Sequence, residues 1–197
     1  MCDWMFGLPR RASQSRGYSG SDTHRHIDRL INDSSSVLKV VSPFITPDYA
    51  GMLQRVSKRK RVYVLTSGAQ SAKQNQAISI MRGKRRIMSY KIVLGLLLVL
   101  LGTIALKLFL YSVISAVVLA LSVVLWLRRP KSNLKLKVVT NRFIHEKLYL
   151  SDRSAIVGSA NLTYAGTHRN IEHIEMIDDR ARIDELSEHF DEMWSSY

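Results

Sequence analysis

Hydrophobic and polar positions alternate along this chain in three distinct manners. Around Ile27, Leu30 and Ile31 the apolar residues recur at helical spacing, and Asp22 or Ser21 stands ready to cap a helix reaching Asn32. Val37–Ser42 is a short β-branched run, the mark of a buried strand, and Arg61–Thr66 alternates with the two-residue period of a strand. Between them, Pro47–Ser57 reads as a helix with proline at its first position. Ala69–Tyr90 continues as a helical run. Later, Leu134–Val139, Lys147–Leu150, Ala155–Val157 and Ile171–Ile177 read as strands. Ala181–Trp194 then places Ile183, Leu186, Phe190 and Met193 on one helix face.

The third manner is a solid apolar block. Ile92–Leu127 contains a single charge, Lys107. One straight helix of that length would run roughly 54 Å, against about 30 Å of bilayer hydrocarbon. The block therefore predicts a helical hairpin, Ile92–Leu106 and Phe109–Leu127, with its turn near Lys107 or at Gly102-Thr103. Basic residues flank both ends: Arg82, Lys84, Arg85, Arg86 and Lys91 before, and Arg128, Arg129, Lys131, Lys135 and Lys137 after. By the positive-inside rule both ends are expected on the cytoplasmic side of a two-span membrane anchor. The expected localisation is multi-pass membrane, with both termini and the remaining domain cytoplasmic. Buried helices apolar all round would otherwise need a larger protein to cover them.

The expected organisation follows. Residues 1–20 form a flexible tail and 21–91 the first part of an α/β domain. Residues 92–127 form the transmembrane hairpin, and 128–197 the second part of that domain. Strands on either side of the hairpin are expected to join one mixed sheet flanked by helices.

Composition adds a bias of charge. The chain has 197 residues and a formal charge of +13. Residues 1–91 carry 17 Lys and Arg against 5 Asp and Glu, whereas residues 148–197 carry 4 against 10. Such asymmetry favours anionic partners, nucleic acid or lipid, at the first half, and argues against a uniform nucleic-acid coat. The lone cysteine, Cys2, excludes an intrachain disulfide. The run Lys58-Arg-Lys-Arg61 suits a phosphate backbone or simply a solvated cluster after a helix.

The chemistry concentrates late in the chain, in His145-Glu-Lys-Leu-Tyr-Leu-Ser-Asp152, then Gly158-Ser-Ala-Asn161-Leu-Thr163, then Asn170-Ile-Glu172. If His145 lies on a strand with Lys147, the two side chains share a face, setting a nucleophile or acid beside a fixed cation. The small residues around Gly158 admit a phosphate, and Ser159 and Asn161 offer polar groups to it. Glu172 on the next strand is placed to accept a hydrogen bond from the His145 imidazole and leave its other nitrogen free. Asp152 is equally a turn residue. His168 and His173 read as bystanders, and Thr163 as the cap of a turn.

This segment resembles the phospholipase D superfamily signature, His-x-Lys-x4-Asp followed by Gly-Ser-x-Asn. His145, Lys147 and Asp152 match its first part, and Gly158, Ser159 and Asn161 its second. Glu172 stands where the family's histidine-orienting glutamate is expected. The resemblance implies catalytic roles for His145, Lys147, Asn161 and Glu172, phosphate contacts from Lys147, Ser159 and Asn161, and structural roles for Asp152 and Gly158. It implies phosphodiester hydrolysis through a phosphohistidine, with no cofactor and no metal. Two copies of the motif are needed and the chain has one, so the expected partner is a second copy in a homodimer with a composite site. Three readings of the substrate stay open. One is nucleic acid, since Gly-Ser-Ala-Asn-Leu-Thr looks like the version found in single-motif endonucleases. Another is phospholipid, cleaved or transferred beside membrane lipids, and the last is a silent membrane scaffold.

Overall fold

The computed structural model describes residues 15–33, 35–68, 71–83, 88–105, 109–127 and 132–197. Cys2, the proposed turn at Lys107 and the basic residues 84–86 and 128–131 lie outside them. The chain separates into two compact units, Met1–Arg82 with Ser132–Tyr197, and Gly83–Lys131.

The first unit is built on a seven-stranded sheet of order β1-β7-β6-β5-β2-β3-β4. Its strands are β1 (Ser15–Gly20), β2 (Val37–Val41), β3 (Arg61–Ser67), β4 (Leu134–Val139), β5 (Leu148–Ser151), β6 (Ala155–Gly158) and β7 (Glu172–Ile177). β2, β3 and β4 run parallel to one another, while β2/β5, β5/β6, β6/β7 and β7/β1 are antiparallel. β3 pairs with β4 from Val62↔Leu134 to Ser67↔Val139, so the strands before and after the apolar block do enter one sheet.

Side-chain alternation divides the core into two layers. Leu38 and Val40 of β2 and Val62 and Val64 of β3 face α1 (His24–Asn32), α2 (Pro47–Val56) and α3 (Ala72–Met81). Val41, Leu65, Leu148 and Leu150 face the closing helix α7 (Arg180–Ser196), which buries Ile183, Leu186 and Phe190. Burying each such side chain contributes about 1.5–3 kcal/mol. Lys39, on the α7 side of β2, hydrogen-bonds Ser187 and pairs with Asp191 at 2.7 Å. Its ammonium stands 5.4 Å from the centre of the Phe190 ring. Local chemistry fixes the helix starts. Pro47 follows Thr46 at the N-cap of α2, Ser71 caps α3 by accepting from the Gln74 amide, and Asp179 caps α7 by accepting from that of Arg182.

Three expectations change. Residues 15–20, read as part of a loose tail, form β1 on the edge of the sheet. Their sequence, Ser-Arg-Gly-Tyr-Ser-Gly, carries no apolar alternation, and the strand rests on backbone pairing with β7, helped by Tyr18 packed against the core. The first helix starts at His24 after Thr23, because Asp22 is held instead by the Tyr18 hydroxyl and by Arg25.

The third change concerns the membrane. In the second unit α4 (Met88–Ala105) and α5 (Phe109–Leu127) are helices of 18 and 19 residues that pack on each other. Among the described residues, no helix is long and apolar enough to cross a membrane. This overturns the expected transmembrane hairpin and the two-span membrane localisation with cytoplasmic termini. At a rise of about 1.5 Å per residue each helix stays below the roughly 30 Å of a bilayer core, and α4 spends its first turn on Met-Ser-Tyr-Lys.

Two local features carry measurable consequences. Lys60, only 6% exposed, sits 2.9 Å from Asp33 Oδ1 and also donates to the Asp33 carbonyl and the Ser35 hydroxyl. It is thus unavailable to the phosphate-binding run proposed from Lys58 to Arg61. Burial pushes the Asp33 carboxyl up, but hydrogen bonds from Ser35 and Lys60 outweigh it and hold it below 3.8. A carboxyl depressed by folding stabilises the fold above its ordinary pKa, and the contribution is lost as pH falls through the depressed value. Urea unfolding at pH 7 and at pH 2.5, each a chosen condition, is therefore expected to show a smaller acid loss for Asp33→Asn than for the unaltered chain. Equal losses would remove Asp33 from the acid response.

Gly158 ends β6 at φ +155°, and a Cβ there would stand 2.2 Å from the His173 carbonyl oxygen and 2.8 Å from Ile174 Cα. Both are backbone atoms of the paired strand β7 and cannot turn aside. Gly158→Ala is expected to lower stability by at least about 2 kcal/mol, read as the shift in urea midpoint. A shift below a quarter of that would show that the turn relaxes.

Candidate functional site

The parallel strands β2 and β3 end at one edge of the sheet. The antiparallel neighbours bring the start of β5, the end of β6 and the start of β7 to the same edge, through the registers Val41↔Leu148, Leu148↔Val157 and Gly158↔Ile174. The segments 145–147, 158–161 and 172 are therefore gathered there by topology.

Hydrogen bonds then fasten the loops. The hydroxyl of fully buried Ser42 donates to the Phe44 carbonyl at 2.9 Å and accepts from the Leu162 amide at 3.1 Å. The Thr46 amide donates to the Leu162 carbonyl at 2.9 Å. The loop after β2 is thereby stitched to the loop after β6. Tyr149, buried in β5, donates to the Ala160 carbonyl at 2.6 Å, and burial raises its phenol well above the ordinary value. Buried Gln74 donates to the Pro43 and Ser67 carbonyls at 2.8 and 3.2 Å. Ser67, at the end of β3, bonds both the amide and the carbonyl of Ile144, fixing the residue next to His145.

His145 lies just before β5, not on it, and this changes the expected alternation. Its imidazole is exposed, tilted against the Phe143 ring at 6.1 Å between centroids, and makes no hydrogen bond among the described residues. Lys147 is 6% exposed, and its ammonium donates to the His145 carbonyl. Burial draws the Lys147 ammonium below its ordinary range, and the nearby Glu172 carboxylate opposes that drop. Lys147 is thus bound to the backbone of His145 and not to its ring.

Glu172 accepts from the Ser159 hydroxyl and, at 3.1 Å, from the Asn170 side chain. The expected hydrogen bond from His145 to Glu172 is absent among the described residues. Ser159 is locked further: its amide donates to the His173 carbonyl at 2.9 Å, and its oxygen accepts from the His173 amide at 3.1 Å. Asn161 follows, its Oδ1 buried and without a hydrogen-bond partner. Asp152 stands at the far end of β5, accepting from the Ser36 amide and hydroxyl at 3.1 and 3.0 Å. Burial opposes its ionisation, yet those bonds hold its carboxyl below the ordinary value. It ties the β5–β6 turn to the strand entering the sheet centre.

The neighbouring histidines are occupied. His173 pairs with the Ser19 hydroxyl at 2.8 Å, tying β7 to β1. His168 lies stacked between His24 at 4.0 Å and Tyr164 at 4.6 Å. Thr163 caps α6 (Tyr164–His168) by accepting from the Gly166 amide at 3.0 Å. Sequence reasoning passed over Ser42, Gln74 and Tyr149. Each is a polar group made structural only by partners far away in the chain, and no local pattern marks it. Lys58–Arg61 lies at the start of β3, the opposite end of the strand from the site.

No protein of curated function matches this chain. Among solved structures, it is similar to Nuc from Salmonella typhimurium, a phospholipase D family member, at 16% identity and a TM-score of 0.57, covering 92% of this chain and 95% of that one. It is likewise similar to NucT from Helicobacter pylori, at 15% identity and a TM-score of 0.55, covering 93% and 96%. At those identities the likeness concerns the fold. The sequence profile described as cardiolipin synthase, PLD-like domain, matches residues 27–194, a span that takes in every strand but β1 and all the motif residues gathered at the sheet edge. The chain therefore belongs to that phospholipase D-like family, with a mixed sheet flanked by helices.

Proposed function

We propose that the protein hydrolyses phosphodiester bonds in nucleic acid, through a phosphohistidine formed on His145 in a site completed by a second copy of the chain. The observation that carries this reading is the pairing of an exposed, unencumbered imidazole with a buried lysine at one sheet edge. A nucleophile needs access to the phosphorus, while a charge-stabilising cation gains strength from exclusion of water. His145 and Lys147 divide in that way, two residues apart.

The Nε2 of His145 attacks phosphorus, and the bond to the leaving oxygen breaks as His145 of the second copy supplies its proton. Water, deprotonated by that same second imidazole, then attacks the phosphohistidine, and the phosphate leaves with its new hydroxyl while His145 is restored. Lys147 and the Asn161 amide hold the non-bridging oxygens. Glu172 accepts from Ser159 and Asn170, one bond at each carboxylate oxygen, and each oxygen keeps a further lone pair with which to orient an imidazole. Nucleic acid is favoured by the chain's basic character and by the Gly158–Thr163 sequence, similar to that of single-motif endonucleases.

The test gives purified protein and His145→Ala single-stranded DNA, RNA and anionic phospholipid in turn, with mass measured by light scattering. Nucleic-acid cleavage by a dimer, reduced on the order of 1000-fold in the variant, is expected. Cleavage of lipid alone would end the nucleic-acid reading, and full activity in a verified monomer would end the composite site.

A further inference from the structure

Beside His145 the first unit holds a second feature, a cavity of about 380 Å³ between the end of β3 and the loop that leaves β4. Its walls include Ser67, Gly68, Thr140, Asn141, Arg142 and Phe143. That volume is at the small end of ligand sites. Construction of the cavity is tied to the catalytic edge. The Gly68 amide donates to the Val139 carbonyl at 2.7 Å, and a Cβ at Gly68 would meet Thr140 Cγ2 at 3.2 Å, so a larger residue would press on that wall. Ser67 fixes Ile144 from both sides of its peptide, and Ile144 separates Phe143 from His145.

Phe143 is 50% exposed although the core lies next to it. Its ring is propped by Phe44 at 5.8 Å and stands 6.1 Å from the His145 ring. Arg142 is exposed and makes no ion pair among the described residues. An exposed aromatic by itself is ordinary. Here the ring lines a cavity, a free guanidinium stands next to it in the chain, and the nucleophile is its neighbour.

We propose that this cavity is a subsite for the nucleotide next to the scissile phosphodiester, with its base stacked on Phe143 and its outer phosphate held by Arg142. Stacking accepts any base, because every base has a π face, and arginine supplies the charge for the backbone. An acyl chain fits poorly. It needs a continuous apolar trough, and Val139, the other apolar wall, is 4% exposed. The subsite rests on the nucleic-acid reading of the catalytic edge and gives that reading its contact with the base.

The experiment compares kcat/KM for a thymidine dinucleotide and for analogues in which one base or the other is replaced by hydrogen. The unaltered protein should prefer the full dinucleotide to one of the analogues by roughly 10-fold. Phe143→Ala and Phe143→Leu should erase that preference, leaving cleavage of the analogue within about twofold, while Phe143→Tyr should retain it. Leucine keeps the apolar bulk, so it separates stacking from packing if the alanine variant folds poorly. Arg142→Ala should flatten the salt dependence of KM for a trinucleotide. Equal losses on dinucleotide and analogue, or an unchanged preference, would overturn the subsite while leaving the nuclease intact. Failure of the unaltered protein to cleave any nucleotide substrate would overturn the nuclease reading and the subsite together.

Discussion

The side chain of Ser42 sits just after β2, and the geometry of the candidate site hangs on what it binds. Its oxygen receives the Leu162 amide and its proton goes to the Phe44 carbonyl, so two loops that are 120 residues apart in sequence share one hydroxyl. Without it the buried Leu162 amide would lose its partner, at a cost of about 1–3 kcal/mol. The Gly-Ser-x-Asn loop would also lose its tether to the sheet centre. Tyr149 secures the same loop from below through Ala160, and Ser67 secures the approach to His145. The motif side chains are displayed by polar residues that face inward, which is how a short sequence signature holds its shape on otherwise unrelated surfaces.

Charge is distributed according to use and not by count. The chain is strongly basic, yet the densest run, Lys58–Arg61, gathers at the opposite end of the sheet and surrenders Lys60 to Asp33. Lys39 likewise goes to Asp191 on α7. Two cations at the candidate site differ in kind. Lys147 is buried and perturbed, suited to a developing charge, and Arg142 is solvated, suited to a backbone phosphate. The acidic last helix spends much of its charge on its own basic residues, as in Arg180–Asp184 and Arg182–Glu185.

Much of this was legible in the sequence. The central strands, α2 and α7 could be read because a buried β-branched run, a proline at a helix start and a repeated apolar face are local signals with one dominant physical meaning. The motif could be read because its spacing is chemical. What escaped has a common cause. β1 is mostly polar and is held by pairing with β7 and by the lone Tyr18 on the core, so no alternation within Ser15–Gly20 announces it. The relation of His145 to Glu172 differs because alternation was extended to a residue three places before the start of β5, into chain fixed by Ser67 instead of by strand pairing. The block divides into two helices close to the expected bounds, but the membrane anchor failed because helices of 18 and 19 residues fall short of the bilayer core.

β3 and β4 are adjacent parallel strands, yet the whole Gly83–Lys131 unit intervenes between them along the chain. As the ribosome emits the polypeptide, β3 has to wait for that entire excursion before its second neighbour exists. Closing so long a loop is unfavourable by an amount that grows only logarithmically with length, but non-local pairing of this kind is slow. His145 emerges later still, after β4. Assembly order therefore places the His145 imidazole behind the first four strands, with β5, β6 and β7 still to follow, and a nascent fragment ending anywhere in the insertion lacks it.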